Sequence, residues 1–137
     1  MSRAIDWDAL RGAASAVRAN AYAPYSGFAV GAALLAEDGT VFTGTNVENA
    51  SYGLSLCAER SALAAAVAQG VRRFVALAIV APGPLPASPC GMCRQVLAEM
   101  PPSFPVRCWT PEGAVLDTSV AELLPHAFGP GHLGGRE

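Results

Sequence analysis

Cys57-Ala58-Glu59 and Pro89-Cys90-Gly91-Met92-Cys93 hold the residues of this chain best suited to chemistry. Three cysteines, two of them in a C-x-x-C, offer three soft thiolate ligands to a zinc ion, one ion per chain. Three protein ligands leave the fourth tetrahedral position open to water, the arrangement of a catalytic site. Zinc lowers the pKa of bound water to about 7, so a hydroxide nucleophile exists at neutral pH. Glu59, two residues beyond the first ligand, is placed to handle protons on that water without ligating the metal. A carboxylate there can take the water proton, deliver a proton to a ring nitrogen and help an amine depart as ammonia. That chemistry is hydrolytic deamination at an amidine-like carbon, such as C4 of cytosine. The alternative is a closed structural site of Cys57, Cys90, Cys93 and Cys108. It leaves Glu59 without a task.

Each ligand group must then be set by the element it opens. Cys57 to Gln69 is alanine-rich with strong helix propensity, and Gly70 follows as a C-terminal cap. Cys90 to Met100 reads as a second helix, ended by Pro101-Pro102. A helix N-terminus carries unpaired N–H groups and partial positive charge, which favours the thiolate. Inside a helix Cys57 and Glu59 would diverge by about 200°, so Cys57 is expected at the very first turn. Three thiolates around zinc carry one net negative charge, and Arg60 and Arg94 each directly follow a site residue. Both are candidates to donate to ligand sulfurs.

The remaining elements follow from periodicity and turn chemistry. Asp6 to Ala19 is expected as a helix, with Trp7, Leu10, Ala14 and Val17 on one face. Phe28 to Ala36 and Thr40 to Thr45 are expected as strands joined by a Glu37-Asp38-Gly39 turn. Asn46 to Leu56 is a polar loop between rigid elements, where binding residues tend to sit. Phe74 to Val80 is a continuous apolar run, hence a buried strand. Ala81 to Pro89 holds four prolines and a glycine and cannot be regular. Val106 to Thr110 and Ala114 to Leu116 are short strands, and Ser119 to Glu122 is a capping box opening a last helix that stops at Pro125. The order predicts an α/β fold: a mixed sheet with an antiparallel edge hairpin and helices on its faces. It spans 1–137 as one domain, with a glycine-rich, flexible tail from about 129.

Composition narrows the function. At 137 residues and 52% apolar content the chain can bury a real core. All nine basic residues are arginine, so lysine Schiff-base and P-loop lysine chemistry are excluded. Net charge is −2 and no stretch gathers basic residues, which argues against a polynucleotide partner and for a small free substrate. The first ten residues lack a signal-peptide core, and no apolar run is long enough for a membrane span. Unpaired cysteines in a C-x-x-C pattern suit a reducing, cytoplasmic setting.

In their order these residues resemble the small cytidine deaminases, the homo-oligomeric type acting on free nucleosides. The stretches that carry the likeness are Ala21 to Ala33, Asn46-Val47-Glu48-Asn49-Ala50-Ser51-Tyr52-Gly53, Cys57-Ala58-Glu59-Arg60 and Ser88 to Gln95. A ligand-x-Glu followed by Pro-Cys-x-x-Cys is the known pattern of zinc deaminases that act on bases. The resemblance implies a three-layer αβα sandwich around a mixed five-stranded sheet, and conversion of cytidine or 2′-deoxycytidine to the uridine counterpart plus ammonia, in the salvage or catabolism of pyrimidine nucleosides. It implies that Asn46 and Glu48 bond the sugar hydroxyl, and that Phe28 packs on the nucleoside. The Ala58 N–H would hold the base carbonyl and the Ser88 carbonyl the exocyclic amine, while Arg60 would bond the ligand sulfurs. It implies a homotetramer with sites shared between subunits, in which Phe128 reaches the base in a neighbour's pocket. A blasticidin-type deaminase is the nearest rival, but the Asn-x-Glu-Asn-Ala-x-Tyr segment speaks for a nucleoside sugar. Polynucleotide-editing deaminases usually carry histidine where Cys57 stands, and need a basic surface.

Overall fold

The structure, a computed structural model, describes residues 4–134. Its framework is one sheet of five strands: β1 (Gly31–Ala36), β2 (Val41–Thr45), β3 (Phe74–Val80), β4 (Pro105–Trp109) and β5 (Val115–Ser119). They lie in the order β2-β1-β3-β4-β5. The β1–β2, β1–β3 and β4–β5 pairs are antiparallel and β3–β4 is parallel. Four helices surround it: α1 (Trp7–Val17), α2 (Ala58–Ala68), α3 (Gly91–Ala98) and the short α4 (Val120–Leu123). The expected α/β sandwich with a mixed sheet and an antiparallel edge hairpin is what forms.

Strand periodicity sorts the core into two layers. On one face Ala32, Leu34, Leu77, Ile79, Val106 and Cys108 meet Ala58, Ala62, Leu63 and Ala66 of α2 and Leu97 of α3. On the other Ala33, Leu35, Ala76, Ala78 and Val80 meet Leu10 and Ala14 of α1. The middle strand β3 is apolar on both faces because helices cover both, which is why its sequence does not alternate.

Small residues let two helices come close. A Cβ added at Gly31 would sit 2.0 Å from the Ala14 carbonyl oxygen. One added at Gly44 would sit 2.4 Å from Ala62 N and 2.5 Å from Ala58 O, so β2 presses directly on the first turns of α2.

Element ends follow the caps. Asp6 accepts from Ala9 N to open α1, Gly70 takes φ +87° just past α2, and Ser119 accepts from Glu122 N to open α4. Most boundaries shift by one or two residues, and two shift by three. The strand expected from Phe28 begins at Gly31, because Phe28 and Val30 bond the Asn46 side chain instead of a neighbouring strand: Asn46 Nδ2 donates to Phe28 O at 2.7 Å and Val30 N donates to Asn46 Oδ1 at 2.9 Å. The last strand runs through Asp117 and Thr118 to Ser119, since β4 pairs with it in register although its own residues are polar. Of the tail from Gly129, Pro130–Leu133 forms a 3₁₀ turn, and 135–137 lie outside the described residues.

Candidate active site

Cys57 is the N-cap of α2 and Cys90 the N-cap of α3. Both have extended backbone and neither helix has a side-chain cap bond, so two uncapped helix N-termini converge on the same point. Cys93 lies one turn into α3 and is fully buried. The three sulfurs lie within 4.8 Å of one another, and Cys57 Sγ is 3.7 Å from Cys90 Sγ. Cys108 is buried in β4 and does not belong to this group. The donor set is therefore three sulfurs, and the closed four-cysteine site is not the one assembled.

Zinc fits this set. Two sulfurs at about 2.3 Å from one tetrahedral zinc lie roughly 3.8 Å apart, which matches the observed spacing. The electrostatics also favour thiolate: hydrogen bonding from Cys93, then from Arg60, pulls the Cys57 thiol down to about 5 against its own desolvation. Arg60 Nη2 lies 3.8 Å from Cys57 Sγ and donates to Ser55 O at 3.1 Å. Its Nε is buried without a partner among the described residues.

Glu59 sits one residue into α2 and points into a cleft of about 260 Å³. It is only 6% exposed, and desolvation pushes its carboxyl up to about 7. Cys57, Ala58, Cys90 and Ser88 share the cleft, and Phe28, Asn46 and Glu48 form its outer part. Among the described residues no arginine or histidine lines it. Phe28, 41% exposed, is a cleft residue and not core, as its place at the head of an apolar run would ordinarily make it. Glu48 is held by Tyr25 N at 3.0 Å, by Ser26 N at 3.1 Å and by the Ser26 hydroxyl. The Ser26 bond, ahead of the backbone N–H groups, holds its carboxyl below the usual range.

One expected residue, Arg94, stands elsewhere. Arg94 makes its hydrogen bonds away from the sulfurs, to Pro89 O at 2.7 Å, Ser88 Oγ at 2.9 Å and Leu123 O at 3.0 Å. The reason is direction: Arg94 follows Cys93 on the helix, and its stem leaves on the side of the 82–89 loop. Phe128 does not line its own chain's cleft; it is 57% exposed, stacked at 5.0 Å on His132. Ser26 and Gln95 received no role from the sequence. A serine two residues before Phe28 carries no spacing signal, since its partner Glu48 is 22 residues away.

This arrangement has known counterparts. Residues 8–104 match the family model of the cytidine and deoxycytidylate deaminase zinc-binding region. The chain belongs to this zinc-binding deaminase family. Among its relatives is the cytidine deaminase of Sporosarcina psychrophila, 55% identical over 112 residues, 81% of this chain and 82% of that one. The cytidine deaminase of Mycobacterium tuberculosis is 48% identical over 130 residues, 91% of each chain. The crystal structure of cytidine deaminase from Burkholderia pseudomallei superposes with a TM-score of 0.87 at 52% identity, covering 90% of this chain and 100% of that one. As a family member the chain carries the zinc-binding deaminase fold, and Cys57, Cys90 and Cys93 are the group that could hold its metal. Among the described residues no helix is long and apolar enough to cross a membrane.

Proposed function

We propose that this chain is a zinc-dependent deaminase of free cytidine and 2′-deoxycytidine, folded as a single catalytic domain. The observation that carries it is a buried carboxylate, Glu59, sharing a cleft with converging thiols at two helix N-termini. Cys57, Cys90 and Cys93 would hold the zinc. Bound there, zinc supplies Lewis acidity, which makes water a nucleophile at neutral pH. Glu59 takes the proton of the water attacking C4 and passes it to N3 of the ring. It then takes the proton of the new C4 hydroxyl and hands it to the amine, so that the C4–N bond breaks, ammonia leaves and the C4 carbonyl of the uridine forms.

The rest of the cleft orients the base. The Ala58 N–H, in the first turn of α2 and without an intrahelical acceptor, donates to the base carbonyl. The Ser88 carbonyl accepts from the exocyclic amine, and Phe28 lays its face against the nucleoside. Asn46 and Glu48 already bond the 25–30 backbone, but a carboxylate has about four acceptor sites, so Glu48 can still accept from a sugar hydroxyl. Its charge, in a cleft lined by no arginine, also disfavours a 5′-phosphate. Arg60 offsets thiolate charge.

Assembly completes the site. Tyr22, Tyr25, Tyr52 and Leu54 are each more than half exposed. Large apolar side chains grouped beside a cleft mark a surface meant to be covered. A homotetramer covers it and brings Phe128 to a neighbour's cleft. Four unpaired cysteines suit a reducing cytoplasm, and the reaction belongs to pyrimidine salvage or catabolism.

The test is direct. Zinc-loaded protein incubated with cytidine should release uridine and ammonia in equal amounts, and CMP should be a far poorer substrate. Absence of ammonia from cytidine and deoxycytidine, at one zinc per chain, rejects the proposal.

A further inference from the structure

The loop that carries Ser88 lacks the usual means of holding a shape. It is rich in proline, and residues 82–89 make no backbone–backbone hydrogen bond to other described residues. A single guanidinium compensates. Arg94 Nε donates to Pro89 O at 2.7 Å and Nη2 to Ser88 Oγ at 2.9 Å, while Nη1 reaches Leu123 O at 3.0 Å beyond the end of the sheet. The next residue on α3, Gln95, donates to Phe128 O at 2.8 Å. Two consecutive side chains of α3 thus grip the Ser88 loop and both ends of the Leu123–Phe128 segment. All three Arg94 partners are neutral oxygens, so what fixes it is the fork geometry of a planar cation rather than an ion pair.

We infer that Arg94 is a positioning residue that sets the Ser88 carbonyl over the cleft and couples that setting to the C-terminal segment. The inference rests on the reading of the Ser88 carbonyl as the acceptor for the exocyclic amine. With no backbone bonds of its own, the loop takes its height above the cleft from the guanidinium. Ligands that donate at position 4 of the ring depend on that height. Ligands that present an oxygen there do not.

The experiment compares zinc-loaded wild type, Arg94→Met and Arg94→Lys, measuring KM and kcat for cytidine, Ki for uridine and zinc content. Met keeps the apolar stem and removes every donor; Lys keeps the charge but cannot span three oxygens. Arg94→Met should hold wild-type zinc and raise the cytidine KM roughly ten- to hundredfold, with uridine Ki moving less than about threefold. Arg94→Lys should fall between Arg94→Met and wild type in the ratio of cytidine KM to uridine Ki. An unchanged ratio in Arg94→Met, whether both constants hold or both worsen together, overturns the assignment and leaves a merely structural arginine. Should Arg94→Met not fold, a wild-type ratio in Arg94→Lys overturns it equally. A wild-type protein that turns over no cytidine sinks the reading of the cleft and this inference with it, and that result is seen before any variant is compared.

Discussion

Glu59 is the only buried charged side chain among the described residues. Hiding a carboxylate costs stability unless it is bonded or neutral, so its retention at the floor of a cleft speaks for chemistry. Glu59→Gln keeps the shape and removes the titratable oxygen. We expect full zinc content and an unchanged fold, with turnover of cytidine lowered beyond the roughly 10²- to 10⁴-fold of one proton-transfer role. A variant within about tenfold of wild type takes Glu59 out of the mechanism. The cysteines divide in the same way. Cys90 stands 3.7 Å from Cys57, whereas burial pushes the Cys108 thiol up to about 12, so that it stays protonated. Cys90→Ala should therefore lose zinc and thermal stability together, because metal binding and folding are coupled. Cys108→Ser should keep its zinc, as metal analysis of the two purified variants would show. Equal zinc loss in both would restore the four-cysteine site.

At the scale of elements, the site is two helix starts held at a fixed separation, and Gly44 sets one of them. Gly44→Ala would drive a methyl group into backbone atoms of α2 at 2.4 and 2.5 Å, which no side-chain rotation relieves. Overpacking of this kind costs about 1–3 kcal/mol, and the turn that moves is the one carrying Cys57 and Glu59. Thermal unfolding should show the loss and a zinc titration a weaker site. Gly12→Ala, on α1 with nothing within 4 Å, should instead stabilise by up to about 1 kcal/mol. These two glycines read alike in the sequence, and only the packing separates them. The same limit explains what the sequence did and did not disclose. Phe74 to Val80 was legible to the residue because a strand buried on both faces is uniformly apolar. The grouping of Cys57, Cys90 and Cys93, with Glu59 in the same cleft, was legible because metal chemistry constrains residue type and short spacing together. The start of β1 was not, since the bonds that replace the ladder at Phe28 and Val30 come from Asn46, 16 residues away from Val30. Nor was the direction of Arg94, whose partners Ser88 and Leu123 lie on opposite sides of it in the chain and meet only in the fold.

At the scale of the whole molecule, Phe128 stands outside its own cleft, and Tyr22, Tyr25 and Tyr52 are each more than half exposed. If Phe128 serves a neighbour, co-expressing Glu59→Ala with Phe128→Ala should rebuild some complete sites, each with Glu59 from one chain and Phe128 from the other. Activity in verified mixed oligomers should then exceed the sum of the two parents; purely additive activity would show that Phe128 works within its own chain. The separation of the ligands also has a consequence for metal loading. Cys57 and Cys90 are 33 residues apart, and the chain between them runs through α2 and then β3, the middle strand of the sheet. In the native sheet β3 lies between β1 and β4, so the full donor set is expected to close only with that strand in place. Metal loading is then expected to report on the sheet: a chain whose central strand is out of register should bind little zinc.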